Sequence, residues 1–302
     1  LKIGVIGVGS IAKKAYLPIY AAMSGDTIHF CTRNPNTLDM LKQKYRFKYL
    51  YQDLNDLINS GIEAAFVHAA TAAHPLIIEQ LIRHHIAVFT DKPIADNYQQ
   101  SRRLTELAKQ EQVPLMTGFN RRFAPFYQQA AKLEGKTFII LQKNRTNDPL
   151  DLRPFIFGDF IHVIDSVRFI AGEHQLKKLS VHATKNGENK YTSLTAAIQF
   201  ENCSAIAVMN RVSGTNEELL QVMSPEGEYR IRNLTDCRWI KSREEVKLSY
   251  GDWDTTLYKR GFETAVSAFL KTVKDRDPLL IPEADALETH HLCELLYHEA
   301  SY

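Results

Sequence analysis

The segment Lys2–Lys14, KIGVIGVGSIAKK, reads as a short apolar strand, a turn spaced Gly7-x-Gly9-x-x-Ala12, and the start of a helix. Glycines at those places allow a tight turn and close backbone approach to a pyrophosphate. The helix behind them presents free N–H groups and the positive end of its dipole, so Ser10, Ile11 and Ala12 belong to the same cradle. A glycine turn alone is weak evidence. Here it lies between a strand and a helix, at the head of a run of alternating strands and helices, which is the context dinucleotide binding requires.

Working outward, TIHFCT, AAFVHAA, IAVFTD and PLMTGF are further apolar runs, with the pattern of strands covered on both faces. Between them, TLDMLKQKY, PLIIEQLIRHH and NYQQSRRLTELAKQ carry helical spacing, with Leu104, Leu107 and Ala108 on one face of the last. Strand and helix in turn predict a doubly wound α/β domain over residues 1–122. After Arg122 the rhythm changes. One helical segment, DFIHVIDSVRFIAG, stands among strand-like runs such as TFIILQKN, KKLSVHAT, TSLTAAIQF, SAIAVMNRV, GEYRIRN and EVKLSY. Alternation of Leu194, Ala196, Ile198 and Phe200 with polar or small residues predicts a sheet with one buried face, hence an antiparallel α+β domain over 123–302. Two helices close the chain, KRGFETAVSAFLKTVKD and PEADALETHHLCELLYHEA, and these are free to pack back on the first domain.

About twenty residues beyond Ala12, where an Asp or Glu would hold the adenosine ribose hydroxyls, the chain instead has Thr32, Arg33 and Asn34. A 2′-phosphate would be repelled by an acid and welcomed by Arg33, with Thr32 and Asn34 as hydrogen-bond donors, so NADP(H) is expected over NAD(H). The plain alternative is a solvated turn before Pro35. VFTDKP puts Asp91 and Lys92 just past a strand end, where Lys92 would face the cofactor and exchange a proton with a substrate hydroxyl, with a surface loop lysine as the alternative. Thr71 and His74, in ATAAHP, are read as lining the cofactor crevice, with a helix-start histidine as the alternative. Asp159, His162 and Asp165 follow one another by three on a helix, so either carboxylate can orient the histidine for proton transfer. A structurally satisfied histidine is the competing reading, and no further ligand set suggests a metal. Asn120, Arg121 and Arg122 in GFNRRFAP, with Lys143, Arg145 and Asn147 leaving a strand, are candidates for an anionic or hydroxylated substrate or for structural ion pairs. The histidine pairs at 84–85 and 290–291 are read as solvated helix ends.

Composition excludes several classes. The 302 residues are 44% apolar, enough for a substantial core, and the formal net charge of +2 gives no general attraction to nucleic acid or to an anionic membrane. The four cysteines lack metal-site spacing and fit free thiols in a reducing compartment, so a cytoplasmic protein is expected. No apolar run is long enough to span a membrane.

Taken together, GVIGVGSIA, ATAAHP, TDKPIADN, GFNRRFAP and GDFIHVIDSVRFIAG resemble the glucose–fructose oxidoreductase and inositol dehydrogenase (Gfo/Idh/MocA) family, in its MviM-like branch, over nearly the whole chain. The resemblance implies a Rossmann domain followed by an α+β domain whose large, mostly antiparallel open sheet serves assembly into a homodimer or homotetramer. It implies an NAD(P)-dependent oxidoreductase acting on CH–OH groups of a sugar or polyol, or a cofactor-binding sensor of the same fold without turnover. The family's catalytic lysine maps to Lys92 and its helix histidine and aspartate to His162 and Asp159. Two departures stand out: Glu-Lys-Pro is Asp-Lys-Pro, and Asp-x-x-x-His is Asp159-x-x-His162, with Gly158 at the usual acid position.

Overall fold

The structure, a computed structural model, describes residues 1–172 and 175–301. The chain divides into two compact units, the first Leu1–Gly118 with Ala265–Glu288 and the second Phe119–Thr264 with Thr289–Tyr302.

Unit 1 holds six strands, β1 (Lys2–Ile6), β2 (Thr27–Cys31), β3 (Tyr49–Tyr51), β4 (Ala64–Val67), β5 (Ala87–Thr90) and β6 (Leu115–Thr117). They lie in the order β3-β2-β1-β4-β5-β6 with every pair parallel. This is the Rossmann order. Alternate residues explain why these strands are apolar throughout. Ile6, Val67 and Val88 join Leu81, Ile78 and Leu104 on one face. Phe66 and Phe89 meet Tyr16, Tyr20 and Phe269 through ring contacts. Each such buried side chain contributes about 1.5–3 kcal/mol. The short β3 is not among the runs singled out from the sequence, because three residues show no period.

Among its described residues unit 2 carries eight strands: β7 (Phe138–Asn144), β8 (Leu176–Lys185), β9 (Tyr191–Phe200), β10 (Ser204–Asn210), β11 (Glu217–Ser224), β12 (Gly227–Arg232), β13 (Asp236–Lys241) and β14 (Glu244–Leu248). Their order is β14-β13-β12-β11-β7-β10-β9-β8, antiparallel except for the parallel pair β7 and β10. Leu194, Ala196, Ile198 and Phe200 are buried as their alternation predicts. The helix Ile161–Ala171 lies against β7 and β10. Additional helices at Pro125–Ala131 and Leu152–Phe155 accompany it, so the helical segment read from the sequence is not alone. His290 is fully buried near Phe119 rather than solvated, because its helix, Glu283–Ser301, has apolar neighbours at this point. All four cysteines are free and buried, and no described helix is long and apolar enough to cross a membrane.

Candidate active site

The turn after β1 has the geometry its glycines imply. Gly7 has a φ of 84°, and a Cβ there would stand 2.7 Å from the Ala69 nitrogen, so a side chain is excluded twice over. A Cβ at Gly9 would meet nothing within 4 Å, which leaves that side of the turn open to a phosphate. The helix that follows opens with a widened turn over Ala12–Tyr16, and Ile11 projects with half its surface exposed. These features fit a dinucleotide pyrophosphate over the helix N-terminus.

At the end of β2, Thr32, Arg33 and Asn34 contain no carboxylate, and Arg33 is exposed with no ion-pair partner among the described residues. Asn34 has a structural duty that the sequence reading did not assign. Its side-chain oxygen accepts from the Thr37 N–H at 3.2 Å and caps the helix Pro35–Tyr45. Only its amide N–H₂ is left as a donor.

Past β5, Asp91 is fixed from two sides. Its Oδ1 accepts from the Tyr16 hydroxyl at 2.8 Å, and its Oδ2 lies 3.0 Å from His68 Nδ1. The other His68 nitrogen is 2.7 Å from the Tyr20 hydroxyl, and the His68 ring lies 4.1 Å from that of Tyr16. Burial alone would raise the Asp91 pKa, but the charge and hydrogen bond of His68, with the Tyr16 hydroxyl and Lys92, hold it below the ordinary carboxylate value. Lys92 follows directly, half-buried, with a cis bond to Pro93. His68, Tyr16 and Tyr20 escaped the sequence reading. The available signal was a histidine at the end of a wholly apolar strand, in FVHAA.

His74 is better explained as structural than as a cofactor ligand. It is fully buried, with Nδ1 2.8 Å from the Pro93 carbonyl and Nε2 3.0 Å from the Ala69 carbonyl. Carbonyls only accept, so the neutral ring, with its one N–H, donates to one of the two at a time and packs between the loops after β4 and β5. Burial pushes its pKa down, partly offset by those two carbonyls.

In unit 2 the structure separates the two carboxylates that the sequence placed on one helix face. Each step of three residues falls about 60° short of a full turn, and a widened turn at Ile156–Phe160 rotates Asp159 further. Asp159 meets three cations: Lys143, Arg145 at 2.8 Å and Arg211 at 3.0 Å. Asp165 instead takes a bidentate hydrogen bond from Arg122, at 3.0 and 2.7 Å, and one from the Thr289 hydroxyl at 2.9 Å. Arg122 and Asp165 are both buried, so this pair is structural, in place of the substrate contact expected for Arg122 and the histidine-orienting role open to Asp165, which the sequence also offered as a substrate-binding residue. Arg121 makes a second buried bidentate pair with Glu218, at 2.8 and 2.6 Å, which Tyr127 joins at 2.8 Å. His162 sits half-buried on the helix, its backbone carbonyl accepting from the Ser166 hydroxyl.

Electrostatics follow from this crowding. Lys143 is buried beside Arg121, and burial foremost pushes its pKa down to about 7 despite Asp159 and Glu218. Burial would raise Asp159, but Lys143 and Arg145 hold it well below the ordinary range. Glu218 is likewise desolvated, yet Arg121 brings it down to about 2. Asn120 does not face outward as a free donor, for its side chain donates to the Arg260 carbonyl at 2.8 Å. Glu218 and Arg260 carry no motif and were missed.

A glycine turn on a six-stranded parallel sheet, joined to an eight-stranded mixed sheet, defines a two-part Rossmann protein. Residues 1–119 match the oxidoreductase family with an NAD-binding Rossmann fold, and residues 125–242 match the YceM-like C-terminal domain. YceM of Salmonella typhimurium is 29% identical over 307 residues, 99% of this chain and 98% of that protein. Among solved structures, a Gfo/Idh/MocA family oxidoreductase from Vibrio cholerae is 30% identical with a TM-score of 0.91, covering 99% of this chain and 97% of the other. The dehydrogenase MviM from Clostridium difficile is 26% identical with a TM-score of 0.94, covering 99% of both. The chain belongs to the Gfo/Idh/MocA oxidoreductase family, and its first unit is an NAD(P)-binding Rossmann domain.

Proposed function

We propose that this chain is an NAD(P)-dependent oxidoreductase, preferring NADP(H), that moves a hydride to or from a sugar, polyol or related hydroxy compound. One observation carries the reading. All six strands of unit 1 are parallel, so the Gly7 turn after β1, Arg33 after β2 and Lys92 after β5 leave the sheet at one carboxyl edge, where such sheets bind ligands. When bound, the nicotinamide nucleotide supplies the hydride chemistry.

The chain's own residues supply position and proton management. The open turn at Gly9 and the backbone of Ser10, Ile11 and Ala12 hold the pyrophosphate. Arg33, with Thr32 and the free amide of Asn34, meets the 2′-phosphate. Lys92 hydrogen-bonds the substrate oxygen and passes its proton, on a backbone anchored by the fixed Asp91 beside it. His162 is the second proton-transfer group, carried by unit 2, the substrate half. Asp159 acts through the charges it balances. The open sheet of unit 2 joins copies into a homodimer or homotetramer, and the free buried cysteines suit a cytoplasmic protein.

Titration of the purified protein with NADPH and NADH, followed by nicotinamide fluorescence, tests the cofactor reading. Tighter NADPH binding that Arg33→Ala abolishes supports it, and equal affinities sink the preference. Lys92→Ala should lower turnover by about 10²–10⁴-fold while changing cofactor affinity by about twofold or less. Cofactor binding without turnover on any sugar, polyol or sugar acid would instead favour a sensor.

A further inference from the structure

Unit 2 contains a cavity of about 370 Å³ lined by Arg121, Lys143, Asn144, Arg145, Asn233 and Arg260, with Glu217 and Glu218 on its wall. The volume suits a small ligand rather than a nucleotide. Its cations are unequally matched. Arg121 is paired with Glu218, while Lys143 and Arg145 share Asp159 with Arg211. Glu217 is held by Arg232 at 2.6 Å. Arg260, half-buried, has no side-chain hydrogen bond or carboxylate among the described residues.

The backbone that carries this guanidinium is fixed. Asn120 donates to the Arg260 carbonyl, and at the next residue, Gly261 with φ 78°, a Cβ would stand 2.1 Å from the Asn120 carbonyl oxygen. The turn bearing Arg121 and the turn bearing Arg260 are thus locked together through a contact only glycine permits. Burial and the neighbouring charge of Arg121 push the Arg260 pKa down, so this charge is uncomfortable where it stands. The amides add to the bias. The Asn144 oxygen accepts from Gln142 Nε2 and the Asn233 oxygen from the Glu218 N–H, which leaves both N–H₂ groups as donors. A partly desolvated cation with no ion pair of its own among the described residues, and the shared field of Glu218 to offset it, lies among donors whose acceptor ends are already used and is complementary to an oxyanion.

We propose that this cavity binds the carboxylate or phosphate of a small hydroxylated substrate, with Arg260 as the cation that meets it and the Asn144 and Asn233 amides as flanking donors. The inference rests on the reading of unit 2 as the substrate half. It narrows the substrate class from polyols in general to sugar acids or sugar phosphates.

The test is calorimetric titration of the full chain, without nucleotide, with D-gluconate, 6-phosphogluconate, inorganic phosphate and myo-inositol. Wild type is compared with Arg260→Gln and with Arg243→Gln, a change on an exposed hairpin outside the cavity. The expected result is binding of an anionic probe at least about tenfold tighter than myo-inositol, a loss of about tenfold or more in Arg260→Gln, and no loss in Arg243→Gln. Binding of both acids at similar strength identifies carboxylate as the group read, and binding of only the phosphorylated probes identifies phosphate. The melting temperature of Arg260→Gln should rise by about 1–2 °C without ligand, as an uncompensated charge is removed. Anionic probes that bind no better than myo-inositol, an Arg260→Gln variant that folds and binds as wild type, or an equal loss in Arg243→Gln would each overturn the proposal. Nucleotide titration of the same samples separates the two readings: anion binding with no nucleotide binding would remove the dehydrogenase and leave the anion site standing.

Discussion

Asp91 in unit 1 and Asp159 in unit 2 are both shielded carboxylates, but they are held by opposite kinds of partner. Asp91 lies among a phenol and an imidazole, with a second phenol on the far side of the ring. Asp159 lies among a lysine and two arginines, next to a second pair formed by Arg121 and Glu218. The first arrangement orients a carboxylate with groups that exchange protons. The second fixes a field of charge, and removing one member leaves others buried without compensation. Position next to Lys92 makes the first suited to proton chemistry, and the cation excess makes the second suited to holding an anion.

Substitutions in the two networks should have unequal effects. Glu218→Ala should have the largest effect, a loss of about 3–5 kcal/mol in unfolding free energy by denaturant titration, because Arg121 is left buried without its carboxylate. Acid should attack the same place. The Glu218 pKa lies at about 2 in the folded protein against an ordinary value of 4.5. Its folded value is the depressed one, so its contribution is complete above about pH 4.5 and disappears as pH falls through about 2. The span is worth on the order of 3 kcal/mol. Unfolding monitored from pH 6 to pH 2 should show that slope, and Glu218→Gln should flatten it.

Asp91→Asn keeps the shape and removes the charge that His68 and Tyr16 address, so a smaller loss of about 1.5–3 kcal/mol is expected. A loss as large as that of Glu218→Ala would erase the distinction between the two networks. Tyr20→Phe deletes a single buried hydrogen bond to His68 and should cost about 0.5–1.5 kcal/mol, checked by the same denaturant titration. A Tyr20→Phe effect on turnover well beyond that cost would extend the proton network to its far end.

Much of the architecture was legible without coordinates. The glycine turn and the two-sided apolar runs predict the parallel sheet, and the alternation from Leu194 to Phe200 predicts the one-sided sheet, because backbone periodicity is written in neighbouring residues. The three-residue β3 and the helix Pro125–Ala131 were too short to carry a period of their own. The missing acid near Thr32, and Lys92 past β5, were also readable, since both are defined by distance along the chain from a strand end. The Asp159, His162 and Asp165 set was misread in part: spacing by three looks like one face, yet the helix drifts and its first turn is widened.

Local sequence alone carried the alternation of strand and helix in the first domain, the one-sided sheet of the second, the glycine turn, and the absence of a carboxylate after β2. Which acid meets which base depends on how distant segments pack. Lys143 stands opposite Glu218 because β7 and β11 pair in one register, and Arg260 reaches the same cavity because Gly261 packs on the Asn120 carbonyl. Such partnerships join residues tens to more than a hundred positions apart, and a side chain's charge tells nothing of its partner until strand register and helix rotation bring the two together.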